Sequence, residues 1–314
     1  MRDPTARLIA CFFSLMILLF SAVSSANPDA AQKVFASPED ARQALVAAVK
    51  SRDHQALESI FGPLISELEP SDPQEQAAEL EFFAENILER NELVKEGDDK
   101  VSLIIGDEKW PFPVPIVKKG GSWVFDTAAG RDEIITRRIG HNEELAQKVC
   151  RAYVQAQREY YNLAEPDGEQ IPKYAQKLIS SAGRRDGLYW PSTSKQQESP
   201  LGPLVAKAKE GGYLMQNSSA ANGSHPFHGY YFKILKKQGS SAPGGRFSYI
   251  INSNMVAGHA LVAYPAKWGN SGVMTFIVNQ RGRVYQKNLG PNTLKLARQM
   301  KEYNPDQTWK LVGE

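Results

Sequence analysis

Tyr230-Tyr231-Phe232-Lys233-Ile234-Leu235 is an apolar, aromatic run of strand type, and four more follow it at short intervals: residues 247–251, 260–263, 274–278 and 284–285. The connections carry tight-turn residues, Pro243-Gly244-Gly245, Asn252-Ser253-Asn254 and Arg281-Gly282. Short strands at such spacing predict an antiparallel meander, closed by a last helix that begins near Pro291-Asn292-Thr293. Upstream, residues 162–226 are rich in Pro, Gly and Ser and predict an irregular linker with short helices near 174–179 and 204–209. Before the linker, residues 126–161 read as helix with a break at Gly140. Leu145, Val149, Ala152, Tyr153, Ala156 and Tyr160 form its apolar stripe. A long helix, a linker and a meander predict a C-terminal α+β domain over residues 131–314.

The chain ahead of it changes texture twice. Ser37-Pro38-Glu39-Asp40 opens a helix with an N-cap serine, a proline in the first turn and acids beside it. Its apolar face is Ala41, Leu45, Ala48 and Val49. A second helix carries Ala56, Leu57, Ile60 and Phe61 and ends at Gly62-Pro63, and a third spans about 72–90. Short β-type runs then follow at 101–105, 114–117 and 122–125, with a hairpin turn at Lys119-Gly120-Gly121. Pro111, Pro113 and Pro115 lack the N–H that a central ladder needs, so they predict an edge strand or extended arm. Helices plus a small antiparallel sheet make residues 27–130 an N-terminal α+β domain. This order resembles the small cone-shaped domains of the nuclear-transport-factor-like group.

Composition narrows the function classes. The 314 residues carry 37 Lys+Arg against 35 Asp+Glu, with 42% hydrophobic and 23% charged, which excludes disorder, collagen and a disulfide scaffold. A formal charge of +2 gives no electrostatic reason to bind nucleic acid or anionic lipid. Arg2 and Arg7 precede an apolar stretch at residues 8–23, followed by Ser24-Ser25-Ala26. That pattern predicts a secretory signal peptide over residues 1–26, cleaved after Ala26, leaving no stable membrane span and an extracytoplasmic, periplasmic protein. Cys150 is then the one cysteine left, and its place in the helical stripe predicts a buried thiol.

The search for chemistry yields no cofactor motif. Phosphate-binding glycine loops, a Gly-x-Ser-x-Gly elbow and His-Glu-x-x-His are all absent. His225-Pro226-Phe227-His228 lacks the helical spacing and companion ligands of a zinc site, and Asp167-Gly168-Glu169 reads as a plain turn, so no metal is expected. His259 reads as a packed histidine. Asp126 or Thr127 is expected to cap the following helix, with Arg131 or Arg137 pairing nearby. The aromatic residues Trp110, Phe112, Tyr189, Trp190, Tyr230, Tyr231 and Trp268 sit beside Pro and Gly, where they would bind a peptide, a glycan or another envelope protein, or fill a junction between domains. With Asp126, Arg131, Asp186 and His228 they form the candidate binding set, and no residue is assigned as catalytic. The function expected is a non-enzymatic binding or assembly module. The alternative is a periplasmic hydrolase using Asp126 or Asp186 with His228.

Two resemblances add to this. Tyr264-Pro265-Ala266, Gly269, Ser271-Gly272, Thr275-Phe276, Val278 and Gly282, set behind a long helix and linker, resemble the globular part of type IV pilins and pseudopilins. Those proteins carry an apolar assembly helix at their own N-terminus, whereas this helix lies mid-chain and is polar. At a finer level Trp110-Pro111-Phe112-Pro113, Trp123-Val124-Phe125-Asp126-Thr127-Ala128-Ala129-Gly130 and Arg137-Arg138-Ile139-Gly140 resemble the bacterial domain-of-unknown-function 2950 family of exported proteins. Gly187-Leu188-Tyr189-Trp190-Pro191, Ser199-Pro200-Leu201-Gly202-Pro203, His228-Gly229-Tyr230-Tyr231-Phe232 and residues 272–279 continue the match in the same order. The resemblance covers residues 32–312 and implies export, but no activity and no catalytic residues.

Overall fold

The computed structural model describes residues 32–68, 70, 72–163, 171–191, 198–210 and 226–313. The expected signal peptide, the turn at Asp167-Gly168-Glu169 and His225 lie outside them. The chain is α+β and divides into two compact units, Met1–His141 and Asn142–Glu314.

In the first unit, α1 (Pro38–Ser51) starts where the Ser37 hydroxyl accepts the Asp40 amide at 3.1 Å, and stops at Arg52 in a left-handed conformation. Asp53 caps α2 (His54–Phe61) by accepting from the Ala56 amide at 3.0 Å. A 3-10 turn at Pro63–Glu67 leads to α3 (Pro73–Glu89). Five antiparallel strands follow: β1 (Asn91–Lys95), β2 (Lys100–Ile105), β3 (Trp110–Pro111), β4 (Ile116–Lys119) and β5 (Ser122–Phe125). They are ordered β1-β2-β4-β5, with β3 also on β2. Only Pro111 enters a strand. Pro113 and Pro115 fall between β3 and β4, where no ladder bond is lost. The core is a phenylalanine cluster of Phe35, Phe61, Phe83, Phe112 and Phe125 packed on Leu45, Ile60, Leu103 and Ile116.

The helix α4 (Thr127–Tyr161) runs unbroken through Gly140, against the break that the glycine predicts. One glycine lowers helix stability by only ~1 kcal/mol, which 35 residues of continuous hydrogen bonding absorb. Gly130 is different. A Cβ there would lie 2.4 Å from Val114 Cγ2 and 2.9 Å from its Cα, so the helix start approaches that backbone as only glycine allows.

In the second unit the deepest line of α4 is Ala146, Cys150, Tyr153, Gln157 and Tyr160, while Leu145, Val149 and Ala152 are half-buried. Residues 174–179, expected as a short helix, are extended instead: Tyr174 bridges to Met255 and Ile179 to Tyr189. After α5 (Gly202–Glu210) come β6 (Tyr230–Leu235), the short pairs β7 (Lys237–Gln238) with β8 (Phe247–Ser248) and β9 (Ile250–Ile251) with β10 (Asn254–Met255), then β11 (Ala260–Pro265), β12 (Met274–Asn279) and β13 (Tyr285–Asn288). Helix α6 (Thr293–Gln299) and β14 (Lys310–Leu311) complete it.

The main sheet is antiparallel in the order β14-β13-β12-β11-β6. Its alternation serves two cores. Leu261, Ala263, Phe276 and Val278 face the cluster that includes α4, while Ala260, Val262, Tyr264 and Ile277 face the cluster that includes Tyr249, Met255, Ala297 and Tyr303. Glu143 ties helix to sheet by accepting the amides of Val273 and Met274, both at 2.9 Å. Among the described residues no helix is long and apolar enough to cross a membrane.

Candidate functional site

The second unit contains an apolar cavity of about 90 Å3. Its wall is assembled from Val149 and Tyr153 of α4, Leu178, Ile179 and Tyr189 of the extended segment, Leu201, Leu204 and Val205 at α5, and Phe227, Tyr230, Tyr231 and Phe232 at the start of β6, with Leu261 of β11.

Two turns hold that wall. In the first, Ser180 donates to Tyr189 O at 2.8 Å and Tyr189 to Leu178 O at 2.9 Å, bringing Ile179 and Tyr189 side by side. Asp186 fastens the loop between them, accepting from the Ser181 amide (2.7 Å), the Ser181 hydroxyl (3.0 Å) and Lys177 Nζ (2.7 Å). Partial burial raises the Asp186 carboxyl, but the bonds from Lys177 and Ser181 outweigh it and hold the group below the usual aspartate value. Gly187 is required, since a Cβ there would stand 2.7 Å from the backbone of Ile179 and Ser180.

The second turn is a two-residue reversal. Phe227 and Tyr230 exchange main-chain bonds of 2.9 and 3.0 Å, and His228 (φ 44°) and Gly229 (φ 68°) both take left-handed conformations, as in a type I′ hairpin. His228 therefore sits at a turn tip with its ring 4.6 Å from that of Phe227. Tyr230 is buried and donates to Met274 O at 2.8 Å. Burial, and then the charge of Glu143, push its hydroxyl well above the ordinary tyrosine value and keep it a donor.

The remaining sequence candidates are placed elsewhere. Phe112 is a core ring stacked on Phe83 at 5.6 Å, and Trp110 packs half-buried against the same cluster. Asp126 caps α4, accepting the Ala129 amide at 3.5 Å, and meets Lys119 at 3.4 Å. Arg131 pairs with Glu67 (3.0 Å) and Asp132 (2.9 Å) at the surface, and Arg137 bonds Glu133 at 2.5 Å. Trp190 is buried, edge-on to Tyr160 at 6.5 Å, with the Arg185 guanidinium 5.5 Å from its ring. Trp268 donates to Asn288 Oδ1 at 2.9 Å. Of the eleven candidates, Tyr189, Tyr230 and Tyr231 line the cavity.

Leu178, Ile179, Leu204, Val205 and Phe232 were not among the candidates. Leu178, Ile179, Leu204 and Val205 are plain aliphatic residues within a Pro- and Ser-rich stretch, and Phe232 is one residue of a strand-type run, so nothing in the sequence sets them apart.

Two buried groups and one half-buried lysine complete the electrostatics of this unit. Burial pushes the Cys150 thiol up to about 12. His259 is fully buried with neither ring nitrogen hydrogen-bonded, its ring 5.3 Å from Tyr153 and 4.7 Å from Tyr174. Burial, then the charge of Arg158, lower it to about 3, so it is a neutral, packed imidazole. Lys233 closes α6 by donating to Ala297 O, Arg298 O and Met300 O at 2.8, 2.8 and 2.6 Å. Among the described residues no three His, Cys, Asp or Glu side chains gather as a metal site.

Comparison with curated proteins and with solved structures returned no match, and the likeness to pilin globular domains is not confirmed. A family model described as a protein of unknown function matches residues 32–312, nearly the whole chain from Gln32 onward. The chain belongs to the family of proteins of unknown function DUF2950.

Proposed function

We propose that this protein is an exported component of the cell envelope that works as a non-enzymatic binding or assembly module, taking an apolar group of a partner into the cavity of its second unit. Export is supported by the basic, apolar and small-residue pattern of residues 1–26. The observation that carries the binding reading is the cavity itself, walled by aliphatic side chains and tyrosines and held by two fastened turns.

A hydrolase draws no comparable support. Asp126 caps a helix in the first unit, and in the second the Asp186 carboxylate is occupied by Lys177 and Ser181.

Export is tested by fractionating native cells and sequencing the N-terminus of the recovered protein. A mature chain beginning at Asn27 outside the cytosol is expected, and full-length chain in the cytosol overturns it. Binding is tested by cross-linking in the envelope with wild type and Val205→Trp, which fills the cavity. Loss of the cross-linked partner in the folded variant is expected, and an unchanged pattern removes the cavity from the function.

A further inference from the structure

Among the described residues the main sheet of the second unit ends on β6, and that edge is closed at both ends but open between them. At one end Tyr230 bonds Phe227, and at the other Lys236 accepts from the Tyr249 amide at 2.9 Å. Main-chain groups alternate in direction along a strand, so Phe232 and Ile234 aim theirs the same way, off the sheet. The strand partner of β6 is β11 on its other side, and among the described residues no segment bonds those outward groups. Edges are ordinarily protected by proline, a bulge, a charge or a covering segment. Tyr231, Phe232 and Ile234 supply none of the side-chain protections, and the one charge of the stretch, Lys233, is engaged by the carbonyls of Ala297, Arg298 and Met300 at the end of α6.

Two different surfaces flank the open stretch. On the face of Tyr230 and Phe232 lies the apolar cavity. On the face of Lys233 lies a groove lined by Lys236, Lys237, Arg298 and Lys301 together with Ile250 and Met300, and no acidic side chain lines it. Glu302 approaches Lys237 at 3.8 Å from outside that lining.

We infer that the open edge of β6 accepts an extended peptide as an added strand, with an apolar side chain entering the cavity on one face and an acidic side chain meeting the lysine-rich groove on the other. The inference rests on the binding-module reading and names its ligand class. An added strand presents successive side chains to opposite faces, so one peptide reaches both surfaces while its main chain bonds Phe232 and Ile234.

The cavity volume of about 90 Å3 suits a side chain, well below the ~300–1,000 Å3 of small-molecule pockets. A second copy of this chain is disfavoured, because pairing β6 with β6 would bring the same lysines together.

The probe is a labelled synthetic heptapeptide of alternating Leu and Asp, titrated by fluorescence anisotropy against the purified full chain. Binding is expected to weaken at least about tenfold for the same peptide with alternate N-methylated amides, which cannot complete the strand. Replacing Asp by Lys in the peptide is expected to abolish it. In the protein, Ile234→Pro removes an outward N–H and no ladder bond, so the folded variant is expected to lose binding to the same extent.

Absence of binding, or binding indifferent to N-methylation, overturns the inference. A dimer of the chain by light scattering that Ile234→Pro dissolves overturns it in favour of self-pairing. A partner cross-linked in the envelope that Val205→Trp loses and Ile234→Pro keeps would leave the binding-module reading standing while this inference falls.

Discussion

The two units bury their aromatic rings by different means. In the first, Phe35, Phe61, Phe83, Phe112 and Phe125 meet ring to ring at 5.2–6.3 Å. In the second, six of the large buried rings are tyrosines, Tyr153, Tyr160, Tyr230, Tyr249, Tyr264 and Tyr303, beside Phe276, and four of the hydroxyls hold a named acceptor. Tyr153 donates to Ala260 O, Tyr160 to Arg185 O, Tyr230 to Met274 O and Tyr249 to Gln238 Oε1, at 2.8–3.1 Å. A phenylalanine core asks only for volume, whereas a tyrosine core must also land each hydroxyl, because a buried oxygen left unpaired is costly. Irregular segments such as residues 171–191 are thereby pinned at named carbonyls, and it is the unit so pinned that contains the candidate site.

Truncating the ring at the centre of the phenylalanine cluster should have the largest effect. Phe125→Ala is expected to destabilise the first unit by about 3–5 kcal/mol, and Phe125→Leu by much less, as measured by chemical denaturation. Equal costs for the two variants would mean that this core depends on ring geometry after all.

The second unit should instead respond to acid. The folded value of His259, about 3, lies below its unfolded 6.5, so above that upper value both states are neutral and nothing changes. As pH falls from 6.5 toward 3 only the unfolded chain binds the proton, and stability drops, by on the order of 3 kcal/mol near pH 4. His259→Phe should remove that part of the slope. A variant as acid-sensitive as wild type would place the proton elsewhere.

Tyr230→Phe keeps the ring and deletes one bond. About 1 kcal/mol is expected by thermal or denaturant unfolding, and a neutral result would show that Met274 O finds another donor. Smallest of all, Asp126→Asn should stay within about 0.5 kcal/mol, since asparagine caps a helix as well as aspartate does.

Much of this fold was legible in the sequence because local pattern and final environment agree. Residues 230–235 and 122–125 are short apolar, aromatic runs and pair as strands, and Ser37-Pro38 starts a helix by a purely local bond. The misreadings come where a distant partner decides. The 174–179 segment has helical spacing, but its amides and carbonyls are taken by Met255 and by residues 188–189. Strand β1 is half polar and lies at a sheet edge with little burial, so it left no hydrophobic signal.

The site was less legible for the same reason. Tyr189, Tyr230 and Tyr231 stand out as aromatics, but that β6 is the outer strand depends on the order of the sheet, and the charges of Lys236 and Lys237 beside it are joined by those of Arg298 and Lys301, more than sixty residues downstream. Phe112 and Trp190 look identical to them in sequence and turn out to be ordinary core rings.

Cys150 gives the second unit a reporter of its own. Fully enclosed and held protonated, its sulfur cannot react with an alkylating reagent while the fold is intact. The rate at which it becomes labelled therefore counts the excursions that expose the helix, and it does so without any engineered tag. A peptide that stabilised the closed state would slow that labelling in proportion to its occupancy, so a native sulfur atom serves as a clock for how often the molecule opens.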